Sequence, residues 1–216
     1  MLRAATFVLF AVAAVAAVAV AAQDPPAAKP PDATKGGDVP SAFRSFLVWD
    51  KRYPADDVRN RTNKPHCLVC EYGLNPVVVV FAPKVPTDPA DPVVSLLKDL
   101  DQAALDRKEA SFAVTVAFSV LPDELQFDAA RDKLVDEAKA MADQAKLRVV
   151  PVGLSAKKSK ATAAWKLDGD NAEAVTVVFY NKLRVIERWT FPDGKPSDAE
   201  RKTILDAIEK AYPAKK

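Results

Sequence analysis

The strongest constraint on the fold is one uninterrupted apolar run in the middle of the chain. Residues 77–82 read Val-Val-Val-Val-Phe-Ala, entered through Pro76 and closed by Pro83. Such side chains favour strands, and a strand with one solvated face would alternate with polar residues. This run does not alternate. We therefore predict a central strand buried on both faces, as in sheets that helices cover on both sides.

The segments that follow alternate between helical and strand patterns. Residues 91–107 repeat apolar side chains at helical spacing, and the Asp-Pro pair at their start suits a helix N-terminus. Residues 112–120 predict a second strand, 123–146 a long amphipathic helix and 148–154 a third strand. Because a helix joins each strand to the next, this order predicts a parallel core.

The C-terminal part predicts a hairpin and a closing helix. Apolar runs over 175–180 and 183–191 flank an Asn-Lys pair, which predicts an antiparallel hairpin with a tight turn. Ser197, with Glu200 three positions later, predicts a capping box at the start of the last helix. The Lys-rich stretch 157–160 predicts a solvated loop.

The first 22 residues have the layout of a secretory signal peptide. A basic start at Arg3 precedes an Ala- and Val-rich run that ends in small residues before Gln23. A retained membrane anchor is the alternative, since about 20 apolar residues span a bilayer. The composition, the cleavage site near Ala21–Gln23 and the lack of a following basic cluster favour cleavage. We expect an exported protein, periplasmic or secreted, with no integral membrane segment after cleavage.

The remaining chain divides into a spacer and one domain. Residues 23–40 hold five prolines and predict a disordered or polyproline-like spacer, followed by a folded domain over 41–216. The chain has 31 basic and 29 acidic side chains, and without Arg3 the excess is one positive charge. Such balance excludes electrostatic attraction to nucleic acid or acidic membranes as an organising feature.

Chemistry concentrates at the only two cysteines, Cys67 and Cys70. Export places them where disulfides persist, yet a loop this short adds little stability, so the spacing favours redox or metal chemistry. Residues three apart on an extended strand face opposite ways, so the pair requires a turn or a helical turn, which Gly73 would end.

A reactive cysteine attacks as the thiolate. Three neighbours would stabilise a thiolate at Cys67: the adjacent His66, the charge of Lys64, and the amides of a helical turn after Pro65. In this interpretation Cys67 is the nucleophile and Cys70 the resolving thiol.

The element order β-α-β-α-β, then a hairpin and a helix, resembles the thioredoxin-like superfamily, and most of all its peroxiredoxin and exported-redoxin branches. Residues 75–82 resemble the first central strand of that fold and 174–186 its hairpin, and the similarity covers roughly Val58 to Tyr212. The resemblance implies an α/β three-layer sandwich: a mixed sheet with a parallel core and a C-terminal hairpin plus helix. It also implies exchange with protein thiols or disulfides, without a cofactor.

Two departures from the superfamily pattern stand beside this resemblance. Thioredoxins place the CxxC after the first central strand, where this chain reads Pro-Lys-Val-Pro-Thr-Asp over 83–88. Redox members also carry a cis-proline before the hairpin, and residues 168–174 contain no proline. Both departures argue against transfer of the usual active site.

Three functions therefore stay open. The first is a thiol–disulfide oxidoreductase that uses Cys67 and Cys70, with His66 beside them. The second is a non-catalytic redoxin-fold binding module with a structural or vestigial disulfide. The third is a copper or zinc carrier that uses the His-Cys-x-x-Cys segment. Covalent haem is disfavoured, because Glu71 stands where the attachment motif needs histidine.

Overall fold

The computed structural model describes residues 34–121, 129–167 and 173–214. These residues form a mixed sheet with helices on both faces. In chain order the elements are β1 (Arg44–Trp49), β2 (Pro65–Cys67), α1 (Leu68–Tyr72), β3 (Val77–Ala82), α2 (Pro92–Leu105), β4 (Ala113–Leu121), α3 (Ala129–Gln144), β5 (Val152–Ala156), α4 (Lys160–Ala164), β6 (Val175–Asn181), β7 (Arg184–Phe191) and α5 (Asp198–Ala211).

The seven described strands form one sheet in the order β2-β1-β5-β4-β3-β6-β7. Strands β3, β4 and β5 are parallel, which confirms the predicted parallel core. The hairpin partner β6 runs antiparallel to β3, and β1 runs antiparallel to β5. Antiparallel strands therefore flank the parallel core on both sides.

The valine-rich run forms β3, and every one of its residues is buried. Side chains alternate between the two faces of a strand, so successive residues of β3 enter different cores. Val78 and Val80 pack with residues of α2, α3 and α5 on one face. Val77 and Val79 pack beneath α1 and Trp165 on the other. The prediction of a strand buried on both faces is confirmed.

The third core strand begins later than predicted. It was expected over 148–154, and β5 covers Val152–Ala156. The cause is Asp101 of α2, whose Oδ1 accepts backbone N–H groups from Arg148 at 2.9 Å and Val149 at 2.8 Å. The N–H of Val150 reaches the same oxygen at 3.2 Å. Those amides are committed to a side chain and do not join the sheet.

The predicted hairpin is present with its turn shifted by one residue. Asn181 pairs with Arg184 as the last rung of the ladder, so the two turn residues are Lys182 and Leu183 rather than Asn181 and Lys182. Both turn residues have left-handed φ, at 49° and 59°. This is the conformation that a two-residue hairpin turn matching the strand twist requires.

Two helix starts carry capping boxes. The one at Ser197 and Glu200 was predicted and is confirmed at the start of α5. The other was missed: Ser159 and Thr162 cap each other at the start of α4. The Lys-rich stretch is therefore only partly a loop, since Lys160 is the first residue of that short helix. Of the predicted helix over 123–146, the part before 129 lies outside the described residues.

The N-terminal part of the domain is more ordered than predicted. Gly36 donates to Val185 O at 2.9 Å and Val39 donates to Leu183 O at 2.7 Å, so this segment runs along β7. Residues 36–39 therefore belong to the folded unit and not to the predicted spacer. The signal-peptide segment lies outside the described residues, and none of the helices described is both long and apolar enough to cross a bilayer.

Candidate functional site

The cysteine pair lies at the junction of β2 and α1. Cys67 is the N-cap of α1, and its Sγ accepts the backbone N–H of Cys70 at 3.1 Å. The two cysteines form a disulfide with their Cα atoms 5.2 Å apart. Gly73, at φ 56°, ends the helix. The sequence prediction of a helical turn that carries both cysteines and ends at Gly73 is confirmed.

One side of this helical turn is open to solvent. Cys70 is exposed and Cys67 is half-buried. The opposite side of α1 is fixed in the core by the buried side chains of Leu68, Val69 and Tyr72. A disulfide on the outer side of a buried helix is accessible to another protein.

His66 lies beside the cysteines but is engaged elsewhere. Its Nε2 lies 2.6 Å from Oε2 of Glu71, and both side chains are about three-quarters buried, with 23% and 24% exposure. That His66 stabilises a thiolate at Cys67 remains a prediction. In the structure the Nε2 atom of His66 contacts the carboxylate of Glu71. Lys64, the second predicted helper, is exposed.

An arginine fork ties α1 to the end of β1. Arg52 donates to both carboxylate oxygens of Asp50, at 2.9 and 2.7 Å. Its Nη1 also donates to Glu71 Oε1 and to the Tyr72 hydroxyl, each at 2.9 Å. Sequence reasoning missed this cluster, because Arg52 and Glu71 are 19 residues apart and only the fold brings them together.

The ionisable groups of this cluster keep their protonation states, so the contacts between α1 and the end of β1 persist at physiological pH. Burial alone would lower the pKa of Arg52, but the hydrogen bond to Asp50 and the surrounding negative charge outweigh it, so that pKa is raised. Burial also raises the pKa of the Tyr72 phenol, against the opposing effect of Arg52. Arg52 stays charged and Tyr72 stays protonated at any physiological pH.

A cavity of ≈ 510 Å³ opens beside the Arg52 cluster, between α1 and the start of β4. Arg52, Glu71 and Tyr72 line one wall, and Lys108 and Phe112 line another. Its size is within the range of small-ligand clefts.

The pairing of β1 with β2 sets the strand register at this edge of the sheet. Arg44, the first residue of β1, stands directly opposite Cys67 of β2. Cys67 packs with the cluster that contains Phe43, Leu47 and the residues of α1, whereas Arg44 alternates with those two β1 residues and shares the face of Phe46. No pattern in the sequence links two positions that only the pairing of β1 with β2 brings together.

The residues do not assemble a ready-made metal centre. Within the described ranges, no three His, Cys, Asp or Glu side chains group at ligand distance. The two sulfurs that a copper or zinc carrier would use as thiolates are joined in the disulfide. No observation on the described residues favours the carrier hypothesis.

Comparison with solved structures identifies the fold. No protein-family model and no curated protein sequence matches the chain. Among solved structures, AhpC of Mycobacterium tuberculosis matches with a TM-score of 0.57 at 14% identity, covering 84% of this chain and 94% of that one. A reduced 2-Cys peroxiredoxin of Plasmodium vivax matches with a TM-score of 0.53 at 15% identity, covering 82% and 97%. The chain has a thioredoxin-like fold.

A third structure adds a different branch of the same architecture. A candidate protein disulfide isomerase of Bacteroides thetaiotaomicron matches the chain with a TM-score of 0.53 at 14% identity, covering 82% of this chain and 89% of that one. At such identities the likeness speaks for the fold alone. The predicted α/β fold class, with a mixed sheet and a parallel core, is confirmed.

The disulfide of this thioredoxin-like domain lies away from the end of β3. The segment after β3, where thioredoxins carry their CxxC, has no cysteine. Cys67 belongs to β2, four strand positions from β3 across the sheet. At about 4.8 Å per strand, that is a lateral separation of about 19 Å.

Proposed function

We propose that this protein is an exported thiol–disulfide oxidoreductase that acts through Cys67 and Cys70 on protein thiols or disulfides. The observation that carries the proposal is a disulfide on the solvent-facing side of α1, with the N-cap sulfur accepting a backbone N–H. An amide that donates to the sulfur of a disulfide also stabilises the same sulfur as a thiolate.

The exchange is a pair of displacements at sulfur. In the reduced protein, the Cys67 thiolate attacks one sulfur of a partner disulfide, and the partner's other sulfur leaves as a thiolate. Cys70 then loses its proton to solvent and attacks Cys67 Sγ, which releases the second partner thiolate. Two electrons pass to the partner, and the Cys67–Cys70 disulfide forms again. The same steps run in reverse oxidise a partner dithiol.

The contacts around α1 argue against a purely structural disulfide. Leu68, Val69 and Tyr72 are buried, and Arg52 holds Glu71 and Tyr72 from outside the helix. These contacts fix α1 whether or not the sulfurs are joined. A loop this short contributes about 2 kcal/mol through chain entropy, so the disulfide adds little to a helix that is already anchored.

The decisive experiment is insulin reduction with dithiothreitol as electron donor, on the mature chain. We expect turnover by the wild type and none by Cys67→Ser. Cys70→Ser should accumulate a mixed disulfide with the partner, because the resolving thiol is missing. The two variants control for each other, since both remove the same disulfide. The proposal would be refuted if the two variants, both with native circular dichroism, were equally inactive and Cys70→Ser trapped no mixed disulfide.

A non-catalytic redoxin-fold binding module is the second candidate. The feature that favours it is the cysteine-free segment after β3, since the position that thioredoxins use for chemistry is empty of thiols. In this case both serine variants keep partner binding and the wild type shows no turnover. The insulin assay therefore decides between the two candidates.

Export is part of the proposal and is supported by the layout of residues 1–22. Expression with the full leader in a bacterial host, followed by N-terminal sequencing of the periplasmic fraction, tests it. We expect a mature chain that begins at or near Gln23. Recovery of uncleaved chain in the membrane fraction would support the anchor instead.

A further inference from the structure

One side of the cavity beside the Arg52 cluster is apolar and fixed in place. Ala104, Phe112 and Val114 line it, and all three side chains are buried. The Phe112 ring is held by an edge-on contact with Phe179, with 6.1 Å between the ring centroids. A wall of buried side chains does not need to rearrange, so it would receive an apolar or aromatic group as it stands.

The wall formed by Arg52 offers no free charge to a ligand. Its Nε and Nη2 donate to the two carboxylate oxygens of Asp50. Its Nη1 donates to Glu71 and to the Tyr72 hydroxyl, and Nη2 reaches Glu71 Oε2 at 3.4 Å. These contacts use all five N–H groups of the guanidinium. Glu71, the one acidic residue on the described lining, is itself shared between Arg52 and His66.

The uncommitted polar groups lie on the exposed part of the lining. Asn75, Lys108 and Ser111 line the cavity and are exposed. Among the residues that the structure describes, none of these three side chains makes a hydrogen bond or an ion pair. Asp106 and Glu109, the acidic neighbours of Lys108 in the chain, do not line the cavity. The lysine ammonium is therefore the uncompensated charge on this lining, and it favours an anion.

We propose that this cavity binds small aromatic carboxylates, with the ring against the Phe112 wall and the carboxylate at Lys108. The ring is removed from water by the apolar side, and the ammonium pairs with the carboxylate at the exposed side. The amide and the hydroxyl next to Lys108 on the lining donate to the carboxylate oxygens. The site does not depend on the thiol chemistry of Cys67 and Cys70, neither of which lines the cavity.

The test compares ligands that share a ring and differ in charge. Isotope-labelled protein is titrated near neutral pH with hydrocinnamate, with its neutral amide and with the corresponding amine, and the backbone amide shifts of residues 111–114 are followed. Hydrocinnamate should saturate with a dissociation constant of about 1 mM or tighter. The amide should bind about threefold to tenfold more weakly, because it lacks the ion pair, and the amine more weakly still.

Variants assign the preference to one side chain. Lys108→Gln should bind the acid and the amide equally and leave the affinity for the amide unchanged, whereas Lys108→Arg should keep the preference for the acid. Lys98→Gln is the matched control, since it removes an exposed lysine of α2 that does not line the cavity, and both affinities should stay at their wild-type values. Ala113→Leu places a larger side chain on the lining and should weaken both ligands, with folding checked by circular dichroism.

Several results would overturn the proposal. Hydrocinnamate might give no saturable shift, the acid and the amide could bind the wild type equally well, or the preference for the acid could persist in Lys108→Gln. A folded Ala113→Leu variant that binds hydrocinnamate as tightly as the wild type would place the ligand elsewhere and overturn it too. None of these readouts uses the disulfide, so they stand apart from the insulin assay.

Discussion

Removal of the Asp101 carboxylate should cost the domain a large part of its stability. Asp101 belongs to α2 and is 2% exposed. Its Oδ1 accepts the N–H groups of Arg148, Val149 and Val150, and its Oδ2 accepts Nε of Arg148 at 2.9 Å. In Asp101→Ala these donors lose their acceptor while the segment that carries them stays packed against α2.

The expected magnitude follows from the burial of each donor. The N–H of Val150 is on a buried residue, so leaving it unsatisfied costs about 1–3 kcal/mol. Val149 is half-buried and loses about half as much, while the exposed Arg148 can donate to water. With the small void left by the carboxylate, the total is about 3 kcal/mol. Asp101→Asn keeps one acceptor oxygen and should lose roughly half of that.

Urea unfolding followed by far-ultraviolet circular dichroism measures both variants, provided that the slope against denaturant is unchanged. Asp99→Ala is the matched control: Asp99 lies on the same helix, is 38% exposed and pairs with Arg201. As a partly exposed ion pair it should contribute less than about 1 kcal/mol. If Asp101→Ala were as stable as Asp99→Ala, the account of Asp101 as acceptor for the segment before β5 would be wrong.

Three further outcomes are expected. Ser197→Ala should lower the free energy of unfolding by about 1 kcal/mol in urea titrations, through loss of the α5 cap. The hydrogen bonds from Ser197 lower the pKa of Glu200. The stabilisation from this contact is therefore complete above the ordinary carboxyl pKa of about 4.3 and is lost as the pH falls through the lowered pKa. The free energy of unfolding measured against pH should show this loss, and Ser197→Ala should show a smaller one. Gly153→Ala should lower the thermal midpoint, at a cost of about 1–3 kcal/mol, because the added Cβ would lie 2.5 Å from Cβ of Ser45. Reduction of the disulfide should cost no more than about 2 kcal/mol, measured by urea unfolding with and without reductant.

The core of the fold was readable from sequence because its signals are local. The apolar run of β3 and the cap of α5 at Ser197 each lie within one segment, and each was placed correctly. The start of β5 was not, since it depends on a carboxylate 47 residues earlier in the chain. One signal was available: Asp101 stands four residues after Leu97 and three before Ala104, on the core-facing stripe of α2. A carboxylate in that position needs donors from another segment.

The candidate site divides in the same way. The pair Cys67 and Cys70, its helical turn and the stop at Gly73 follow from spacing alone. Arg52 reaches α1 through tertiary contact, over a separation that carries no periodic signal. Sequence reasoning could find the sulfurs, but not the cluster of Asp50, Arg52 and Glu71 beside them.

The two departures from the thioredoxin pattern have a common physical meaning. What makes a CxxC reactive is local: an N-cap cysteine, a second cysteine on the first turn, and an amide that donates to the first sulfur. Here α1 supplies that arrangement, with Cys67 as N-cap and Cys70 as donor. The fold does not require it at the helix after β3. The surroundings of the sulfurs differ, however. In redox thioredoxins the segment that corresponds to the one before β6 faces the two cysteines. At α1 the Arg52 fork and the Glu71–His66 contact lie next to the turn that carries the disulfide, so ionisable side chains rather than a proline loop border it.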